Sequence, residues 1–234
     1  MKLNGFEIDY LNLSDFEKSQ MFKIMENHYE NMIFEKFLKD LSEKDKIFIL
    51  IDEKENIKGF TTIKFMDFNI ENKKIKGVFS GDTIVDKDVG FEIQLQKMWV
   101  NFIFKYLKAN PQESLYWFLI CKGYRTYGFL PMYFKKYYPN YEYNTPAFEK
   151  SIMDNYAFLK YGKNYDKTTG IIYNDGSNDY LKDDVAPVTE RKLKNPVVKF
   201  FVEKNPGYVN GDELVCLAQF SFSNFKDVFE RMLR

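Results

Sequence analysis

At 234 residues the chain suits one large domain or a core with a sizeable appendage, because single cores stop growing near about 250–300 residues. Its 34 Lys plus Arg balance 34 Asp plus Glu, and no basic block is offset from an acidic one, which excludes the electrostatic footprint of a nucleic-acid binder. Cys121 and Cys216 belong to no Cys-x-x-Cys or Cys/His cluster, so neither a zinc site nor a disulfide framework is expected, and both read as buried thiols. Aromatic residues make up 18% of the chain, which either supplies a large core or reflects a biased genome. The longest apolar run, Leu115 to Cys121, falls far short of the roughly 20 residues of a spanning helix. The charged N-terminus lacks a secretory apolar segment, and a soluble cytoplasmic protein is expected.

Ser14-Asp15-Phe16-Glu17 is a capping box, in which Ser and Glu satisfy each other's backbone donors at a helix start. Phe16, Met21, Ile24, Met25 and His28 continue at helical spacing. His28, the single histidine, falls at the end of that helix, where the macrodipole favours a cation, so its role reads as structural. A second helix is predicted over Met32 to Leu41. Ile47 to Ile51 and Ile57 to Met66, joined by the polar turn Asp52 to Asn56, read as a strand hairpin. Gly59 within it marks a bulge or a close backbone approach. A polar loop over Glu71 to Lys74 leads to a third strand, Val78 to Val85. From Phe91 the apolar positions trace one helix face to Lys108, widened by Ile93, Val100 and Phe104, and Asn110-Pro111 ends it. Leu115 to Cys121 is apolar throughout, as expected of a strand covered on both faces. Phe129 to Tyr138 reads as a short helix, Tyr141 to Lys160 is mixed, and Asn164 to Asp184 reads as an exposed loop with one short strand at Gly170 to Tyr173. Turn signals at Asn195-Pro196 and Asn205-Pro206-Gly207 bracket Val197 to Val202; a last strand, Glu213 to Phe220, and a helix, Asn224 to Leu233, follow.

From Lys46 to Pro139 this order of elements resembles the core of the GNAT superfamily of N-acyltransferases. Three pieces carry the resemblance: the hairpin with its acidic turn, Gly81-Asp82-Thr83-Ile84-Val85 as the strand end that splays to admit an acyl donor, and Tyr133-Phe134-Lys135-Lys136-Tyr137-Tyr138. The superfamily's last helix commonly reads Tyr-x-x-x-Gly-Phe, and its Tyr protonates the leaving thiolate; Tyr133 stands at that Tyr, with Tyr137 and Tyr138 in place of Gly and Phe. The resemblance implies an α/β (α+β) fold with a mixed, mostly antiparallel twisted sheet flanked by helices. It divides the chain into a core over 1–145 and a C-terminal extension over 146–234, packed on the core or completing it. It further implies acyl transfer from acyl-CoA, or from an acyl-phosphopantetheine arm on a carrier protein, to an amine of a small molecule or peptide, with no metal. At the pyrophosphate loop, where the superfamily carries a glycine-rich motif, Val85 to Glu92 keeps only Lys87 and Gly90 in register and adds Asp86, Asp88 and Glu92, which repel phosphate. Coenzyme A therefore binds weakly or differently, the acyl group arrives on a carrier arm, or the module binds a lipid, carrier or protein partner without chemistry.

Amine attack on a thioester needs a base, an oxyanion donor and an acid for sulfur. Tyr133 is the candidate acid, and Ser80 and Asp82, sent to one face by strand alternation, are candidates for the base side, Asp82 first. Asp82 reads equally as a turn cap after Gly81. Val85, Lys87 and Gly90 are the donor-binding positions that the resemblance implies, and Arg125 is a candidate clamp for phosphate or carboxylate, or a partner for surface acids. Tyr124 and Tyr127 line a pocket or pack in the core; Asp212 and Glu213 meet an amine or serve turn chemistry. Abundant Phe and Tyr favour a long or bulky acyl chain.

Overall fold

The computed structural model describes residues 2–89 and 93–233. The strand β1 (Asn4–Ile8) leads into helix α1 (Asp15–His28). Ser14 Oγ accepts from the Glu17 amide at 3.2 Å while the Ser14 amide donates to Glu17 Oε2 at 2.8 Å, closing the capping box. At the helix end His28 Nδ1 lies 2.9 Å from the Ile24 carbonyl oxygen. The short strand β2 (Tyr29–Glu30) and helix α2 (Phe34–Ser42) follow, the helix starting two residues later than its pattern suggests.

The hairpin is β3 (Lys46–Ile51) and β4 (Ile57–Ile70). Asp52 shapes its turn by accepting from the amides of Lys54 and Asn56 at 2.8 and 2.9 Å. Pairing runs Leu50 with Gly59 and then Ile51 with Ile57, so Lys58 is the extra residue of a bulge. A side chain at Gly59 would meet the Ile84 carbonyl oxygen at 3.0 Å, so the glycine also permits a close backbone approach.

The third strand departs from expectation at both ends. Glu71 and Asn72, both at positive φ, make a two-residue turn, so the predicted loop is short and β5 (Lys73–Phe79) begins early. The strand then breaks at 80–83 and resumes along β4 as β6 (Ile84–Val85). Gly81 and the left-handed Asp82, φ 43°, interrupt the pleat, so strand alternation does not place Ser80 and Asp82. The Thr62 Oγ1–H donates to the Gly81 carbonyl at 3.0 Å and holds this break against β4.

Helix α3 (Gln94–Ala109) presents Leu95, Trp99, Val100, Ile103 and Leu107 to the sheet, whereas Ile93 is exposed; Phe91 and Gly90 lie outside the described residues. Strand β7 (Ser114–Cys121) is covered on both faces, with Leu115, Trp117 and Leu119 in one cluster and Tyr116 and Phe118 in another. After it the chain makes one helical turn, α4 (Tyr124–Tyr127), and then α5 (Phe129–Tyr133). The helix predicted to Tyr138 stops at Tyr133 because Phe134 turns extended and pairs with Phe225, and Tyr138 pairs with Leu217.

Beyond this point α6 (Ala147–Tyr161) occupies the mixed segment; β8 (Tyr165–Asp166), β9 (Ile171–Ile172) and β10 (Tyr180–Leu181) punctuate the loop. Then come α7 (Glu190–Leu193), α8 (Pro196–Lys204), β11 (Glu213–Gln219) and α9 (Asp227–Arg231). The sheet order is β1-β3-β4-β5-β7-β11-β9-β8, with β6 on β4 and β2 pairing β10 separately. Every pairing is antiparallel except β5 with β7. This is a mixed, mostly antiparallel sheet. α3, α5, α8 and α9 cover one face, while α1 with α2 and α6 cover the other. Cys121 and Cys216 are buried free thiols on the adjacent strands β7 and β11, 3.8 Å apart.

Candidate active site

The parallel pairing of β5 with β7 ends at Phe79 and Phe118, yet β7 runs on to Cys121 while the continuation of β5 swings to β4 as β6. The two strands therefore part at one end, and two cavities open there. The larger, about 330 Å³, is walled by α1, α2 and α6 and reaches Ser80 to Thr83, Trp117, Leu119, Lys122, Asp179 and Glu213. The smaller, about 30 Å³, lies towards α3 and α5 and is lined by Thr61, Leu95, Gln96, Trp99 and Tyr133. Ser80, Thr83, Trp117 and Phe129 line both. Two elements explain this placement: the broken strand carries Ser80 and Asp82 to the gap, and the short α5 ends on Tyr133 beside it.

Tyr133 is buried, and its hydroxyl donates to Gln96 Oε1 at 3.3 Å and lies 3.5 Å from Met232 Sδ. Burial raises its pKa above the ordinary phenol value, so the proton stays on at neutral pH. Trp99 and Trp117, ring centroids 4.7 Å apart, leave both indole N–H groups buried without a partner among the described residues.

On the larger side Lys122 Nζ bonds Asp179 Oδ2 at 2.5 Å and sits 3.7 Å from Glu213 Oε1. Burial works against its ammonium, but Glu213 and Asp179 outweigh that and hold its pKa above the ordinary lysine value. Burial likewise raises the Glu213 carboxyl, with Lys122 opposing. Asp82 has neither a hydrogen bond nor an ion pair among the described residues, and burial raises its pKa, with Lys44 opposing. Lys44 itself bonds Asp40 Oδ2 at 2.6 Å.

This environment makes Asp82→Asn informative. The native state binds the Asp82 proton more tightly than the unfolded chain does, so stability rises as pH falls from above the folded pKa towards 3.8. At neutral pH the ionised carboxylate is a burden, and Asn tolerates the positive φ. Thermal unfolding is expected to show Asp82→Asn more stable than the native chain at neutral pH, an advantage that shrinks on acidification. A variant less stable at neutral pH would show that the carboxylate is held by contacts absent here.

Not every sequence candidate reaches the gap. Ser80, Asp82, Glu213 and Tyr133 line the cavities. Val85 pairs with Gly59, and Lys87 bonds Asp184 Oδ2 at 2.7 Å, while Lys58 engages Asp86 and Asp88. Arg125 is exposed on α4, and Tyr124, whose ring lies beneath Lys192, packs beside it. Tyr127 is core, its hydroxyl donating to the Pro139 carbonyl at 2.9 Å. Asp212 accepts from the Asn174 amide at 2.8 Å and braces a loop. Sequence reasoning passed over Gln96, Lys122, Lys160, Tyr161 and Asp179 as site residues; Lys160 and Tyr161 required recognising α6, and Asp179 sits in a polar loop whose pairing with β2 is long-range.

Among the described residues no helix is long and apolar enough to cross a membrane, and no group of three or more His, Cys, Asp or Glu is arranged to hold a metal ion. No protein-family model matches the chain, and no curated protein matches it. Solved structures do. A probable N-acyltransferase of Enterococcus faecalis V583, described as a conserved protein of unknown function, aligns at 14% identity and TM-score 0.41 over 55% of this chain and 31% of its own. The chain thus spans under a third of that protein's length. NAA60 of Arabidopsis thaliana, in complex with a bisubstrate analogue, aligns at 13% identity and TM-score 0.40 over 57% of this chain and 87% of its own. Saccharomyces cerevisiae N-myristoyltransferase with bound myristoyl-CoA aligns at 11% identity and TM-score 0.38 over 50% and 29%.

Proposed function

We propose that this chain is an N-acyltransferase that moves an acyl group from a thioester donor to an amine across the gap between β5 and β7. One observation carries the proposal: a cavity with an unpaired carboxylate and a slot ending on a protonated phenol open to the same strand break and share four lining residues. In this reading the donor's thioester lies in the gap and the amine enters the larger cavity. Asp82 takes the ammonium proton, directly or through water, and the amine nitrogen bonds the carbonyl carbon. As the carbon–sulfur bond breaks, Tyr133 donates to the sulfur and is reprotonated by the second proton that the new amide nitrogen sheds through solvent, and the buried indole N–H of Trp99 or Trp117 is available to the developing oxyanion.

The donor is acyl-CoA or an acyl-phosphopantetheine arm. The carrier arm is favoured by one feature: Lys87, the cation at the pyrophosphate loop, is engaged by Asp184. The core over 1–145 supplies the gap and Tyr133, and the extension over 146–234 supplies β11, with Glu213, and α6. We place the protein in the cytoplasm.

Thiol release from acyl-CoA, followed with candidate amines, tests the proposal. Amine-dependent release is expected, reduced about 10²- to 10⁴-fold in Asp82→Asn, the usual contribution of a general base. Equal release by that variant would remove Asp82 from the mechanism.

A further inference from the structure

We propose that the larger cavity takes a small acceptor that carries an anionic group, carboxylate or phosphate, beside its amine, and that Lys160 binds that anion. The inference deepens the transferase reading and rests on it. It follows from accounting for each charge around the cavity. Asp40 is bonded by Lys44, and Asp179 and Glu213 share Lys122. Lys36 donates to Asn178 Oδ1 at 2.6 Å and reaches the Ser177 carbonyl at 3.5 Å. Two charged groups are left with neither a hydrogen bond nor an ion pair among the described residues, the Asp82 carboxylate and the Lys160 ammonium.

Lys160 Nζ lies 3.7 Å from the centroid of the Phe79 ring, and no acid among the described residues is within ion-pair distance of it. A ring face attracts a cation but accepts none of its three N–H bonds in the way an oxygen does. Lys160 is an exposed residue at the cavity wall, and partial desolvation of its ammonium, then the neighbouring Lys44, hold its pKa below the ordinary lysine value, a direction that a bound anion opposes. The phenols of Tyr29 and Tyr161 also line the cavity and have no hydrogen-bond partner among the described residues, so they offer further donors. The cavity also has apolar walls that include Phe37, Phe79 and Leu119. A volume of about 330 Å³ is at the small end of ligand pockets, which suits a metabolite-sized molecule. An unpaired anion and an unpaired cation in one cavity complement a molecule bearing both signs.

Calorimetric titration of the full chain with leucine against leucinamide, and O-phosphoethanolamine against ethanolamine, tests this. In at least one pair the anionic member is expected to bind roughly 10- to 100-fold tighter, the range of a charge-assisted contact, and which pair responds tells carboxylate from phosphate. Lys160→Gln is expected to erase the difference and Lys160→Arg to keep most of it, with unfolding midpoints confirming that both variants fold. Equal binding within both pairs, no binding by any of the four, or a difference that survives in Lys160→Gln would overturn the inference. Acyl-CoA and an acyl-phosphopantetheine titrated into the same samples separate the two levels: if either binds while the acceptor pairs fail, only the acceptor class is wrong, and if both fail too, the transferase reading falls with it.

Discussion

Replacing Tyr133 with Phe is expected to cut amine-dependent thiol release by about 10²- to 10⁴-fold while leaving the fold nearly as stable as before. The rate loss is what a positioned general acid contributes. The small stability change follows from the hydroxyl's weak contacts, 3.3 Å to Gln96 Oε1 and 3.5 Å to Met232 Sδ, whose removal costs at most about 1 kcal/mol. The ring itself packs on Phe129 and Phe229, contacts that Phe reproduces. A structural role for Tyr133 predicts the opposite pattern, a shifted midpoint with intact turnover. Steady-state kinetics and thermal unfolding of one variant therefore decide between them, and unchanged turnover dismisses Tyr133 as the acid.

The largest stability effect is expected at Trp117. Truncation to Ala removes the side chain that lines both cavities and contacts Trp99, Phe134 and Phe220, at a cost of about 3–5 kcal/mol. For a chain of this length that is a fall in midpoint of roughly 6–20 °C. Trp117→Phe should cost much less. It keeps a ring in the cluster and removes an indole N–H that is buried without a partner, a group whose burial costs about 1–3 kcal/mol. Circular dichroism melts of the pair check this, and a Phe variant as damaged as the Ala variant would show that the indole N–H is satisfied in solution. In activity the two variants should converge for any donor role of that N–H: Trp117→Phe folds, yet loses it as Trp117→Ala does.

What the sequence made legible is what local chemistry dictates. The capping box at Ser14, the Asp52 turn, the α3 stripe ending at Asn110 and the uninterrupted apolar β7 each depend on neighbours a few residues away. Gly59 also carried a readable signal, since a glycine inside a strand has few other reasons to be there. α6 escaped because Phe158 and Leu159, both exposed, blur the contrast between its faces. The end of α5 escaped because it is set by Phe225 and Leu217, strand partners far along the chain, and no local pattern reports them.

The site divides along the same line. Ser80, Asp82, Glu213 and Tyr133 stand at the parted strands because element order places strand ends and the last core helix there. Lys87 rests on register with the superfamily's loop, and Arg125, Tyr124, Tyr127 and Asp212 on residue type beside a strand end or turn; in the fold their polar atoms or rings go to other contacts or to the surface. Whether a Lys is free, as Lys160 is, or spent, as Lys87 is, depends on an acid that lies far along the chain, so sequence type cannot distinguish them.

The central claim is that the gap between β5 and β7 admits an acyl thioester. Thermal unfolding with and without acetyl, medium-chain and long-chain acyl-CoA tests it most directly. A ligand held at 100 times its dissociation constant adds about 2.7 kcal/mol, or roughly 5–11 °C for a chain of this size. At least one of the three is expected to raise the midpoint by that order, and the same midpoint with all three at saturating concentration would contradict acyl-CoA as the donor.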